Sequence, residues 1–207
     1  MAHDIVPGPN TRLFHAGMEG HSQISARTYG FWLYMLSDGL LFAALFAAYA
    51  VLDTTMNAAG GPTAAQIVNV HEGFYQTIIL VASITSLSLS TVAMKNNNRM
   101  GANLGIVIAF VLGGVFVAMG FHDLLDLSAK GDGITRSGYL GAYFILIITH
   151  AIHMLFGMLW MLVMLVQITR SGFNEMVVAR ILNLRMFWQF QISVWICIYI
   201  YVYMIGA

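Results

Sequence analysis

The chain has 207 residues, of which 59% are hydrophobic and only 9% charged, and its mean hydropathy is +0.77. A soluble domain typically carries about 25% charged residues, so this composition indicates an integral membrane protein. Nine basic residues balance nine acidic ones, which leaves no basic field to attract nucleic acid, and the single cysteine, Cys197, excludes an internal disulfide and a cysteine metal cage.

The first 27 residues are polar and precede the first apolar run, which begins near Tyr29. They lack the basic region and short apolar core that mark a cleaved signal peptide. We therefore predict that residues 1–27 form a mobile polar tail in solvent. Its three histidines, His3, His15 and His21, offer at most an adventitious metal site, and an ordinary polar tail is the favoured interpretation.

Five stretches are long and apolar enough to cross a membrane, since about 20 such residues span the hydrocarbon core as a helix. They cover residues 29–52, 73–94, 102–125, 138–169 and 182–205. Their continuous apolarity excludes the alternating strands of a β-barrel. We predict an all-α fold, in which residues 28–207 form one membrane domain of five transmembrane helices. The fourth stretch is about ten residues longer than crossing requires, so it should tilt or project.

The positions of the basic residues predict the orientation, because Lys and Arg accumulate in cytoplasmic loops. Seven of the nine lie in the tail, around residues 95–99, and in residues 170–185. The other two, Lys130 and Arg136, lie on the opposite side. The N-terminus is therefore expected in the cytoplasm and the C-terminus outside.

The first and fourth spans carry ionisable residues near mid-membrane. Asp38 lies about 15 Å into the first span and His150 about 18 Å into the fourth. His153 lies one turn beyond His150 on nearly the same face. Because an isolated charge is costly in hydrocarbon, our hypothesis is that Asp38 and His150 bond directly or through a water. The alternative is that each bonds to its own neighbours, such as Ser37 or Thr149.

These histidines do not fit a heme site. Bis-histidine ligation needs two rings at matching depth on facing helices, whereas His150 and His153 share one helix. His122 and the adjacent Asp123 lie near the outer end of the third span, about 15 Å from the depth of His150. We predict that this chain binds no heme and that its histidines bond between helices. A structural role is favoured for Asp38 over proton relay.

The second span is rich in serine and threonine. Ser83, Ser86 and Ser90 share one helical face. Small hydroxyl side chains let membrane helices approach closely and hydrogen-bond to each other. We therefore predict that this face is buried against a neighbouring helix. The pair Gly113 and Gly114 in the third span is too weak a signal to indicate any motif.

Five short motifs stand in order along the chain. They are GFWLYMLSD at residues 30–38, AGGPT at 59–63, SIT at 83–85, RSG at 136–138 with THAIH at 149–153, and FWQF at 187–190 followed by Trp195. Together they resemble the heme–copper oxidase subunit III family in its five-helix quinol-oxidase form. The resemblance runs in register from about residue 28 to the end, with the expected number of helices.

The resemblance implies the third subunit of a proton-pumping bo-type ubiquinol oxidase in a bacterial inner membrane, with the C-terminus in the periplasm. Heme and copper are then expected in subunit I and none in this chain, with subunits I, II and IV and phospholipid as partners. The family's third subunit stabilises subunit I, holds phospholipid in a cleft and supports proton uptake. The candidate structural or lipid-cleft residues are Asp38, Asp123, His150, His153, Trp188 and Trp195.

The chain departs from the family pattern at three positions. Gln189 and Ile192 stand where the family usually has a histidine and an aspartate, and Gly120 replaces a carboxylate one turn before Asp123. No role of those side chains is carried over. The alternatives are a cytochrome b-type membrane anchor, the third subunit of a cytochrome c oxidase, and a small transporter, which the absence of an internal repeat disfavours.

Overall fold

The computed structural model of the chain describes residues 18–54 and 56–206, and within them every regular element is helical. The five long helices are α1 (Met18–Leu52), α2 (Val70–Lys95), α3 (Arg99–Ala129), α4 (Gly138–Ser171) and α5 (Glu175–Ile198). One short helical turn, Ala64–Ile67, lies in the loop before α2, and α5 continues as a π-helix over Tyr199–Met204. All five are long and apolar enough to cross a membrane, which confirms the predicted all-α membrane fold.

Three helices, α2, α3 and α5, begin earlier than their apolar runs because polar caps, rather than hydropathy, set their first turns, whereas α4 begins at residue 138 as predicted. Asn174 caps α5 by accepting a hydrogen bond from the backbone N–H of Val177 at 2.8 Å, so α5 begins at residue 175 and not at 182. Asn69, Asn98 and Ser137 cap α2, α3 and α4 in the same way.

The predicted tail is partly helical. Residues 18–27 continue α1 towards the N-terminus, so this part of the expected mobile tail is not an irregular segment. Its sequence contains no proline and only one glycine, which is compatible with a helix that extends beyond the apolar run. Residues 1–17, with His3 and His15, lie outside the described residues.

The helices pack as a bundle with α4 and α5 at its centre. The first helix packs against α4 and α5, whereas α2 packs against α3 and α5. In addition, α3 packs against α4, which joins the two groups of helices into one bundle. Side chains from all five helices thus meet in the middle, while α1 and the α2–α3 pair lie on different sides of α5.

The predicted serine face of α2 is confirmed. Ser83, Ser86 and Ser90 are buried, and each hydroxyl donates a hydrogen bond of 2.8–2.9 Å to a backbone carbonyl of α3. The acceptors are the carbonyl oxygens of Ala109, Gly105 and Ala102, respectively. A Cβ at Gly105 would lie 2.7 Å from the Ser90 Cβ, so the close approach of these helices requires glycine there.

Candidate functional site

The contact between α1 and α4 is polar at mid-membrane. The Asp38 Oδ2 lies 3.7 Å from the His153 Nε2, and the two side chains are only 13% and 18% exposed. The His153 Nδ1 donates to the carbonyl oxygen of Thr149 at 2.7 Å, because a carbonyl can only accept. The Nε2 is therefore the nitrogen that faces Asp38, at a distance within the limit for an ion pair but longer than a direct hydrogen bond.

The direct bond expected between Asp38 and His150 is wrong, since Asp38 faces His153 instead. Residues three apart on a helix differ by about 60° in direction. That difference leaves Phe42 as the only aromatic neighbour of His150 on α1 among the described residues, and it turns His150 towards α3 and α5. There its ring stacks on Trp195, with centroids 5.8 Å apart, and meets the edge of Phe116 at 5.8 Å.

His150 is the most deeply enclosed of the candidate ionisable residues. Its side chain is 1% exposed, and neither ring nitrogen has a hydrogen-bonding partner within residues 18–54 and 56–206. The ring of Phe42 contacts both histidines, with centroid distances of 6.3 Å to His150 and 5.1 Å to His153. The two histidines therefore occupy different surroundings although they lie one turn apart.

Two tryptophans tie α5 to α2 by the same type of bond. The indole N–H of Trp188 donates to the Ser83 hydroxyl at 3.0 Å, and that of Trp195 donates to the Thr77 hydroxyl at 3.0 Å. Both hydroxyls donate onward to backbone carbonyls, Ser83 across to α3 and Thr77 within α2. The indoles thus satisfy polar groups inside the bundle while their rings fill its core.

Trp188 fits because glycines on two other helices leave space for its ring. A Cβ at Gly113 would lie 2.8 Å from the Trp188 Cζ2, and a Cβ at Gly157 would lie 2.9 Å from its Cζ3. The side chain of Trp188 is completely buried. Neither role was predicted from the sequence, in which the only signal for it is a glycine inside an apolar span.

Asp123 joins α3 to α2 at the end of the bundle where α2 begins. Its Oδ2 accepts a hydrogen bond of 2.8 Å from the Gln76 side-chain amide, and its Oδ1 lies 3.9 Å from the largely exposed His122. Asp123 and Gln76 line a cavity of about 20 Å³ that also reaches His150. Asp123 also lines an open polar pocket of about 340 Å³ on the adjacent surface.

The three departures from the family pattern lie in different surroundings. Gly120 lines the cavity beside Asp123, and a Cβ there would meet nothing within 4 Å. Ile192 is buried in the apolar core, whereas Gln189 is exposed on the outside of α5.

An apolar groove runs between the outer surfaces of α1 and α4. It has a volume of about 430 Å³. Its lining consists mainly of aromatic and branched aliphatic side chains, namely Phe31, Tyr34, Phe156, Leu159, Trp160 and Val163. None of the six candidate residues lines it. Within the described ranges, no group of three or more His, Cys, Asp and Glu side chains is arranged to hold a metal ion.

Removing one member of the Asp38–His153 pair should destabilise the bundle. We expect Asp38→Leu and His153→Leu each to cost about 1–3 kcal/mol, because each leaves a polar partner buried alone. The double variant should lose less than the sum. Thermal unfolding of the purified protein measures this coupling. The matched control pairs Asp38→Leu with His150→Leu, and a larger coupling in that pair would contradict the assignment of His153 as the partner.

Comparison with known proteins agrees with this architecture. A family model described as cytochrome c oxidase subunit III matches residues 14–207. The cytochrome bo(3) ubiquinol oxidase subunit 3 of Pseudomonas putida is 35% identical, over 86% of this chain and 85% of that protein. The protein of the same name in Pseudomonas aeruginosa is 34% identical over 93% and 91%. The cytochrome c oxidase subunit 3 of Bacillus sp. (strain PS3) is 29% identical over 86% and 84%.

Proposed function

The chain belongs to the cytochrome c oxidase subunit III family, and from that premise we propose that it is the non-catalytic third subunit of a proton-pumping bacterial quinol oxidase. In such an enzyme quinol is oxidised and oxygen is reduced to water. The observation that carries the proposal is the similarity, along most of both chains, to proteins named ubiquinol oxidase subunit 3. The five-helix bundle supports it.

The interior of the bundle supports a scaffolding role. Most of its buried hydroxyl and indole groups bond one helix to another, as Ser83, Ser86, Ser90 and the two tryptophans do. Such bonds hold the helices in one arrangement. The chain then offers a rigid surface to subunit I, which carries the heme and copper, and it assembles with subunits II and IV. That this chain also supports proton uptake by the complex is proposed from the family resemblance alone.

The groove between α1 and α4 supports the further proposal that this subunit holds phospholipid. Its lining is almost entirely apolar and its volume of about 430 Å³ admits an acyl chain. The aromatic side chains of Phe31 and Trp160 stand edge to face, with centroids 5.5 Å apart, and form part of its wall. A lipid held there seals the seam between the two helices.

Cytochrome c is the second candidate electron donor for the complex, because a cytochrome c oxidase subunit 3 is among the similar proteins. Quinol is favoured, since the relatives named for ubiquinol are 29–36% identical, three of them at 34–36%, whereas that relative is 29% identical. A cytochrome b-type anchor is disfavoured by the enclosure of His150, since its side chain is 1% exposed and the cavity that reaches it has a volume of only about 20 Å³, far too small for a heme.

Purification of the chain from its native membrane through an affinity tag tests the proposed function. We expect a larger subunit that carries heme and copper to co-purify, and the complex to oxidise ubiquinol but not reduced cytochrome c. The chain expressed alone should show no Soret band, because its mid-membrane histidines share one helix. A heme spectrum from the isolated chain that disappears in His150→Ala would overturn the proposal in favour of the cytochrome b-type anchor.

The orientation is part of the same proposal. We expect alkaline phosphatase to be inactive when fused near residue 97, between α2 and α3, and active when fused after residue 206. The reason is the excess of Lys and Arg at the end of the bundle that holds residues 95–99 and 170–185. Activity at residue 97, or its absence after residue 206, would reverse the assignment.

A further inference from the structure

Three side chains in the interior of the bundle carry polar atoms that lack hydrogen-bonding partners. They are Gln76 on α2, His150 on α4 and Gln191 on α5, and each is at most 1% exposed. Within residues 18–54 and 56–206, the Oε1 of Gln76, both ring nitrogens of His150 and both side-chain polar atoms of Gln191 form no hydrogen bond. Buried polar groups are almost always paired with protein or ordered water, since an unpaired group costs the free energy of its desolvation.

Gln76 and His150 line the same cavity, which has a volume of about 20 Å³. Asp123, Tyr143 and Tyr203 also line it, so its wall is rich in polar side chains. One water molecule needs about 10–15 Å³ and two to four polar partners. A drug-sized organic ligand needs roughly 300 Å³ or more. The cavity therefore has room for one water molecule and is too small for an organic ligand.

The unpaired groups at the cavity are one donor and one acceptor. The Gln76 Nε2 donates to the Asp123 Oδ2 at 2.8 Å, so the atom of this amide that remains unpaired is the oxygen, which only accepts. A neutral imidazole carries one N–H, which is the donor of His150. The two groups form no direct bond with each other. A water molecule between them accepts from the N–H and donates to the oxygen, which satisfies both.

Gln191 is the rival partner for His150. It precedes Trp195 by one turn on α5, and the ring of Trp195 stacks on that of His150 with centroids 5.8 Å apart. Gln191 does not line the cavity, however, and a bond between Gln191 and His150 would leave the Gln76 oxygen unpaired. A water molecule in the cavity is favoured because it provides a partner for Gln76 as well as for His150.

The cavity lies directly behind an open polar pocket. Asp123 lines both the cavity and this pocket, which has a volume of about 340 Å³ at the end of the bundle where α2 begins. The start of α4 is at the same end, and His150 lies about 18 Å along that helix. Water at the surface of the bundle thus has a polar entrance beside Asp123.

We propose that this cavity is a binding site for one ordered water molecule, which accepts a hydrogen bond from the ring N–H of His150 and donates one to the Oε1 of Gln76. The water joins α4 to α2 and gives His150 its polar partner inside the membrane. The site goes beyond the proposed function, because it depends on residues of this chain alone and not on any other subunit.

Solid-state nuclear magnetic resonance on the full chain in lipid bilayers, with ¹⁵N-labelled histidine and tryptophan, tests this site. It measures the transfer of magnetisation from water protons to the ring N–H of His150, whose signal is identified by its loss in His150→Phe. We expect transfer at short mixing times. The internal control is the indole N–H of Trp188, which is completely buried, bonds to Ser83 and should receive none. No transfer to His150 in the wild-type chain overturns the proposal.

Filling the cavity locates the water. A Cβ at Gly120, in the cavity wall, would meet nothing within 4 Å, so the side chain of Gly120→Leu has room to enter. We expect this variant to lose the transfer while the His150 signal remains. The matched control is Gly30→Leu on α1, where a Cβ also meets nothing within 4 Å but does not line the cavity, and it should retain the transfer. Transfer that persists in Gly120→Leu would place the water elsewhere and overturn the site.

A structure of the wild-type protein at a resolution that shows ordered water gives an independent readout, which holds even if Gly120→Leu fails to fold. We expect one density peak within hydrogen-bonding distance of both a His150 ring nitrogen and the Gln76 Oε1. A cavity without such a peak, or a direct bond from the His150 N–H to Gln191, overturns the proposal.

Discussion

Replacing Trp188 with alanine should unfold or severely destabilise the bundle. Trp188 is completely buried at the place where α5 meets α2, α3 and α4, and its indole N–H donates to the Ser83 hydroxyl. Removing so large a ring leaves a cavity that the four helices cannot close without moving. Large-to-small changes of this type cost about 3–5 kcal/mol. Thermal unfolding of the purified chain, followed by its far-ultraviolet circular dichroism, measures the loss.

Two further variants separate the contributions of Trp188. Trp188→Phe keeps most of the ring but removes the hydrogen bond, so we expect a smaller loss that includes about 1 kcal/mol for the bond. Trp32→Ala is the matched control, because Trp32 is 48% exposed on α1 and its removal leaves no enclosed cavity. If Trp188→Ala proved as stable as Trp32→Ala, Trp188 would not be the centre of the core.

Adding a side chain at Gly157 should have the second largest effect. A Cβ at this position would lie 2.9 Å from the Phe187 Cε1 and 2.9 Å from the Trp188 Cζ3. Both are atoms of buried rings, so neither can move aside without displacing α5. Overpacking of a filled core costs about 1–3 kcal/mol, and Gly157→Leu should therefore lower the melting temperature more than Gly157→Ala does.

Gly120→Ala is the matched control for Gly157→Ala. Both glycines lie inside a membrane helix, but a Cβ at Gly120 would meet nothing within 4 Å. The added methyl group should therefore be neutral, or slightly stabilising because alanine favours the helix. Equal melting temperatures for Gly157→Ala and Gly120→Ala would show that the core tolerates a side chain where the ring of Trp188 lies.

The number of helices and the buried face of α2 could be predicted from sequence for two physical reasons, the length of the apolar runs and the helical repeat. A backbone in hydrocarbon must satisfy its own hydrogen bonds, so an apolar run of about 20 residues becomes a helix whatever surrounds it. The helical repeat then places Ser83, Ser86 and Ser90 on one side. Once a helix packs on that side, its backbone carbonyls accept hydrogen bonds from the three hydroxyls, as those of α3 do.

Hydropathy alone was less informative at the helix ends. Residues 18–27 are mostly polar, and Glu175 and Arg180 flank the short apolar stretch at the start of α5, so the apolar runs underestimated both helices. The start of α5 follows from local chemistry, the Asn174 cap, which can be read in the sequence. This boundary was predictable in principle, from the capping residue instead of from mean hydropathy.

The sequence by itself determined that Asp38, His150 and His153 lie at similar depth, because depth depends only on position along a helix. It did not determine which histidine faces Asp38, since that choice depends on how α1 and α4 are rotated about their own axes. The tertiary structure decided in favour of His153 and placed His150 against Trp195. It also decided which glycines matter, because Gly113 and Gly157 are required only where the ring of Trp188 from a third helix fills the space beside them.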